Sequence, residues 1–205
     1  MDKSNRFRRE LPEGYEAVKT FDAANKRVGI LMNVAALVLT AIVGVGGFFL
    51  KRAIDPGFTT FHTSNVWVFE GVLLAFLLVY VLVIVLHELI HGFVYRILTG
   101  QKLTFGFKLT CAFCGVPDIY VTRGTALASL LAPFTVFSVA FLIPTFLLSG
   151  PLSFGFLLLF AIHFGGCAGD LYDTYLLLFR LKGDLLMRDT GPTQTFYIRK
   201  KITNS

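Results

Sequence analysis

Four stretches of this sequence are too long and too apolar for an ordinary soluble core, and they constrain the fold more than any other feature. They lie near 28–50, 66–97, 125–149 and 152–180. Each can cross about 30 Å of hydrocarbon as a helix. Only 16% of the residues are charged and the mean hydropathy is +0.68, whereas soluble domains carry about 25% charged residues. The expected fold class is therefore an all-α membrane protein of four transmembrane helices.

The first 27 residues are polar and of mixed charge, without the apolar core or small-residue cleavage site of a signal peptide. They are expected to form a cytoplasmic N-terminal arm, partly helical along the membrane surface. Residues 28–180 then form the membrane domain and 181–205 a cytoplasmic tail. No internal repeat divides the chain.

The loops carry the orientation. An even number of spans puts both termini and the 98–124 loop on one side. That side holds 17 of the 19 Lys and Arg residues, including Lys3, Arg27, Arg96, Lys108, Arg123, Arg180 and Lys201. Basic residues concentrate on the cytoplasmic side of membrane proteins, so both termini should be cytoplasmic, and a bacterial plasma membrane fits. The same bias accounts for the net charge of +6 without nucleic acid as a partner.

Within the 98–124 loop, KLTFGFKLT and VPDIYVT read as strands joined around CAFCG. The expectation is a short cytoplasmic-side β-hairpin between helices 2 and 3. It either caps the protein or dips into the membrane interface, where its backbone must be paired or covered.

The second apolar stretch contains His87-Glu88-Leu89-Ile90-His91. A spacing of four puts both imidazoles on one helix face, one turn apart. There they can share one tetrahedral Zn2+, with Glu88 beside it as the general base. An ionisable side chain at the centre of a bilayer costs about 2.5–3.5 kcal/mol on insertion scales, so three titratable groups in five residues need a compensating interaction. Metal coordination supplies one.

A catalytic zinc site needs a third protein ligand. The fourth stretch offers His163, Asp170 and Asp173. His87 stands nine residues before Arg96, and Asp170 ten before Arg180. At 1.5 Å per residue both lie about 13–15 Å from the same membrane face. Asp170 is the expected third metal ligand. Asp173 either replaces it or orients a ligand imidazole. His163 lies about 10 Å deeper along the axis and is expected to hydrogen-bond, to touch substrate, or to pack. Gly165, Gly169 and Gly92 are expected to let the second and fourth helices approach closely.

With HELIH in the second span and Gly169-Asp170 in the fourth, residues 66–180 resemble the zincin membrane peptidases, and more distantly the site-2 proteases, the intramembrane zinc metalloproteases. The resemblance includes Ala132-Pro133 in the third span. It implies a zinc-dependent metallopeptidase with His87, His91 and Asp170 on the metal, Glu88 as base, and strands after the motif that hold an extended substrate. The aspartate lies in Cys167-Ala168-Gly169-Asp170-Leu171, without the Asn and Pro usual in site-2 proteases, and no PDZ or cystathionine-synthase-type domain is expected.

The leading expectation is thus a membrane-embedded zinc metalloprotease that cleaves a peptide or transmembrane segment near the cytoplasmic face. The alternative is a zinc-holding scaffold, sensor or transport-related protein with the same ligands. A single compact polar cluster argues against transport, which needs a polar path. Cys111-x-x-Cys114 is expected to serve packing, because no second ligand pair has metal-site spacing. Pro133 and Pro144 are expected to kink the third span.

Overall fold

The structure is a computed structural model and describes residues 5–58, 62–108 and 111–200. Lys3 and Lys201 lie outside the described residues. The elements, in order, are β1 (Phe7–Arg8), β2 (Tyr15–Asp22), α1 (Lys26–Ile54), α2 (Val66–Thr99), β3 (Thr104–Lys108), β4 (Cys111–Gly115), β5 (Tyr120–Thr122), α3 (Arg123–Leu147), α4 (Gly150–Gly166), α5 (Ala168–Tyr175), a π-helical turn (Leu176–Arg180), β6 (Leu185–Asp189) and β7 (Thr193–Arg199).

Helices α1, α2 and α3 are long and apolar enough to cross a membrane, and α4 with α5 and the π turn makes a fourth candidate span. Two asparagines fix where the first two begin. Asn25 accepts the backbone N–H groups of Arg27 and Val28, and Asn65 those of Trp67 and Val68. Each thereby satisfies donors that a helix start leaves unpaired. Gly100, at φ 72°, ends α2 in the left-handed region that favours glycine. The fourth span departs from expectation. It bends by 48° between Gly166 and Ala168, where Gly165 and Gly166 weaken helix propensity.

The all-α expectation is also corrected. The described residues hold seven strands, not one hairpin. Five form an antiparallel sheet in the order β1-β5-β6-β7-β2, and β3 pairs with β4. Residues 15–22 are a strand, not a surface helix, because they pair with β7 from Tyr15 to Asp22 and Phe21 enters the core. The C-terminal segment is likewise built in, with β7 pairing β2 and β6 along its length. The hairpin is corrected in register. CAFCG is its second strand rather than its connector, with Gly106 opposite Phe113. Tyr120–Thr122 joins the five-stranded sheet instead.

The chain divides into two compact units. The first comprises residues 1–32, 88–133 and 169–205. Its core gathers Phe21, Tyr95, Val121, Leu177, Met187 and Phe196 between the sheet and the helix ends. Arg123 binds this unit together. Its guanidinium donates to the carbonyls of Leu177, Leu181 (2.7 Å) and Gly183 (3.0 Å), which include acceptors where the π turn ends. Gly92 serves this unit: a Cβ there would overlap the rings and methyls of Phe105 and Leu103. It makes room for β3 and not, as expected, for the fourth span.

The second unit comprises residues 33–87 and 134–168. Here α1 and α4 meet through glycines. A Cβ on Gly165 would overlap the Thr40 hydroxyl and the Ala36 carbonyl, and one on Gly47 would meet Leu157. Gly165 therefore admits α1 rather than α2, which corrects the expected pairing. Gly169 has only the edge of Phe21 nearby, at 4.0 Å. The remaining surfaces of α1 and α2 are apolar and outward-facing, with Leu37, Trp67 and Leu78 exposed.

Candidate metal centre

α2 is unbroken across the motif, so His87 precedes His91 by one turn on the same helix face. His91 is buried, and both its ring nitrogens have defined surroundings. Nδ1 is 2.9 Å from the Ser129 carbonyl oxygen. A carbonyl only accepts, so Nδ1 carries the proton. Nε2 lies 3.4 Å from Asp170 Oδ2. With Nδ1 protonated, a neutral His91 turns a lone pair toward a carboxylate oxygen. Two acceptors at that separation repel unless positive charge lies between them. Either a second ring proton or a metal ion supplies it.

The elements that make this contact are set by local sequence. Ser129 lies in α3 two turns after its start, buried, with its hydroxyl reaching back to the His91 carbonyl at 3.4 Å. Asp170 is in the first turn of α5, where the bend restarts the helix and the helix dipole favours an acidic group. Asp173, one turn on, is 2% exposed, and its Oδ1 has no hydrogen-bond partner among the described residues. A buried carboxylate oxygen left without a donor is costly, and a cation nearby would relieve it. An imidazole with carboxylates beside it is a donor set that fits zinc.

His87 makes a different contact. Its Nδ1 lies 3.1 Å from Nε2 of His163 on α4, within the second unit. His163 is buried against the Phe137 ring at 4.7 Å. His163 is thus a partner of His87. Glu88 is half-buried on the motif helix, and its charge reaches Cys114 in the first unit.

Burial, followed by the nearby Asp189 and Glu88 charges, pushes the Cys114 thiol up to about 12, so it is protonated at neutral pH. Cys111 and Cys114 are three apart on strand β4 and so point to opposite faces. They cannot clasp one ion together, which agrees with a packing role, and none of the three cysteines is in a disulfide.

A polar cluster below the motif was not foreseen. Tyr95, one turn after His91, donates its hydroxyl to Asp189 Oδ2 at 2.8 Å. Asp189 Oδ1 accepts the Gly191 N–H at 2.9 Å and the Gln194 amide at 3.2 Å. Burial raises the Asp189 carboxyl to about 6, against the lowering effect of these donors and of His91. Tyr95 shared the helical phase of both motif histidines, a usable signal. Asp189 and the Ser129 carbonyl had none, being a residue of a polar tail and a backbone atom.

A family described as "Putative zincin peptidase" matches residues 80–185, a little more than half of the 205-residue chain. No curated protein and no solved structure gives a significant match. The expected distant similarity to site-2 proteases thus has no finding behind it.

Proposed function

The chain belongs to the family described as "Putative zincin peptidase", and from that premise we propose that it is a membrane-embedded zinc metallopeptidase with His87, His91 and Asp170 as metal ligands and Glu88 as general base. The observation that carries the reading is the approach of His91 Nε2 to the Asp170 carboxylate while Nδ1 is held by Ser129. The helical spacing of HELIH adds His87 to the same face. The unpartnered Asp173 oxygen is consistent with positive charge close by.

A bound zinc ion would supply Lewis-acid polarisation of a peptide carbonyl. The chain's own residues do the rest. The Ser129 carbonyl keeps the His91 ring in one tautomer with Nε2 as its donor atom. Glu88 takes a proton from the attacking water and delivers it to the leaving amine. Burial of His91 limits water around it and so strengthens its charge interactions.

The three spanning-length helices and the bent fourth pair support an integral membrane protein. The distribution of Lys and Arg supports cytoplasmic termini in a bacterial plasma membrane. Substrates on this reading are peptides or transmembrane segments cleaved in or beside the membrane near that face. Full-length protein purified in detergent tests the proposal by zinc analysis and by cleavage of transmembrane peptides. Wild type and Glu88→Gln should both retain zinc, while Asp170→Ala loses it. Glu88→Gln should lower the cleavage rate by about 10²–10⁴-fold. Zinc-free wild type, or unchanged cleavage by Glu88→Gln, would reject it.

A further inference from the structure

His163 is a polar side chain outside the motif that contacts a motif histidine and that the proposed chemistry does not use. It is 5% exposed and lies in the last turn of α4. Its ring is packed between Phe137 at 4.7 Å and Phe141 at 6.1 Å, with the Cys167 sulfur 3.7 Å from Nε2. An imidazole in such surroundings requires a polar partner. The His87 ring lies 5.3 Å away between centroids, and His87 Nδ1 is 3.1 Å from His163 Nε2.

Two imidazole nitrogens at that distance share one proton. One ring donates and the other accepts. If His87 gives its Nε2 lone pair to a metal, its own proton sits on Nδ1. His163 Nε2 is then the acceptor, and the His163 proton sits on Nδ1. The result matches what the Ser129 carbonyl does for His91, whose Nδ1 is also engaged. On that assignment both motif imidazoles have Nδ1 engaged by an acceptor.

We propose that His163 is a positioning residue that accepts a hydrogen bond from His87 Nδ1 and so holds His87 in the tautomer and orientation that bind zinc. The inference rests on the zinc-ligand reading above and goes beyond it by assigning a residue outside the motif. Partners of this kind typically change metal affinity by about 10–100-fold when removed. Phe137 and Phe141 lock the His163 ring, so His163 can act as a rigid acceptor rather than a mobile one.

The test uses full-length protein in detergent, with zinc alone as the probe and affinity read by competition with a chromogenic chelator. His163→Leu keeps an apolar volume but removes the acceptor. His163→Gln keeps an acceptor oxygen. His163→Leu should weaken zinc binding about 10–100-fold, and His163→Gln should restore it to within a few-fold of wild type. Thermal melts without zinc establish that each variant folds. If His163→Leu does not fold, His163→Met takes its place as the acceptor-free variant.

Equal affinity in wild type and the acceptor-free variant, or no rescue by Gln, overturns the proposal. Wild type that binds no zinc would instead reject the metal centre itself, so the two failures are distinct. Cobalt substitution adds a third readout. A sulfur-to-cobalt charge-transfer band lost in Cys167→Ser would make His87, His163 and Cys167 the ligands themselves and would also overturn the positioning role.

Discussion

Replacing Asp189 by Asn should change how stability depends on pH more than how stable the protein is at any one pH. The Asp189 carboxyl is 3% exposed, and burial raises it from 3.8 to about 6 in the folded chain. The folded state therefore holds its proton more tightly than the unfolded state. Below about pH 3.8 both states are protonated and the group is neutral in each. As pH rises from there through about 6, the unfolded chain ionises first and gains stability relative to the fold. The difference corresponds to about 3 kcal/mol, at 1.36 kcal/mol per pKa unit. Full burial leaves little solvent screening to reduce it.

The assay is thermal unfolding of purified protein in detergent at intervals from pH 4 to pH 7.5, wild type against Asp189→Asn. Other carboxylates titrate in the same window, so the informative quantity is the difference between the two proteins. Wild type should lose about 2.5 kcal/mol relative to the variant over this range, or about 5–10 °C of Tm for a chain of this length. Tyr95 can still bond to the Asn amide, so the pair itself need not break. A difference that stays flat with pH, or that grows in favour of wild type as pH rises, would refute the reasoning.

Two further perturbations probe the packing. Gly165→Ala should destabilise by about 1–3 kcal/mol in thermal melts, because the new methyl overlaps the Thr40 hydroxyl and the Ala36 carbonyl. Gly166→Ala, whose Cβ meets nothing within 4 Å, should stay within about 0.5 kcal/mol, and equal effects at the two positions would contradict the α1–α4 approach. Arg123→Met should cost about 1.5–3 kcal/mol, since it removes the charged donor from the Leu177, Leu181 and Gly183 carbonyls. A melt within 0.5 kcal/mol of wild type would show the clamp to be idle.

The apolar stretches and the His87-Glu88-x-x-His91 spacing were legible from composition and period alone. A span must be long and apolar whatever it packs against, and a helix fixes the relation of residues four apart. The strands at 15–22 and 185–199 were not legible, because their short polar-apolar alternation is weak, and β2 acquires its pairing only from β7, more than 100 residues distant in the chain.

The sequence by itself therefore determined that the chain forms long apolar helices and that two imidazoles and a glutamate share one turn. Only the tertiary structure decided which acceptors meet those imidazoles, that Gly165 admits α1, and that a buried carboxylate at 189 sits under Tyr95. The physical reason is range. Helical period and hydropathy act between neighbours along the chain. Ring tautomers, steric clearance and desolvation depend on atoms that the fold brings within about 4 Å from distant positions.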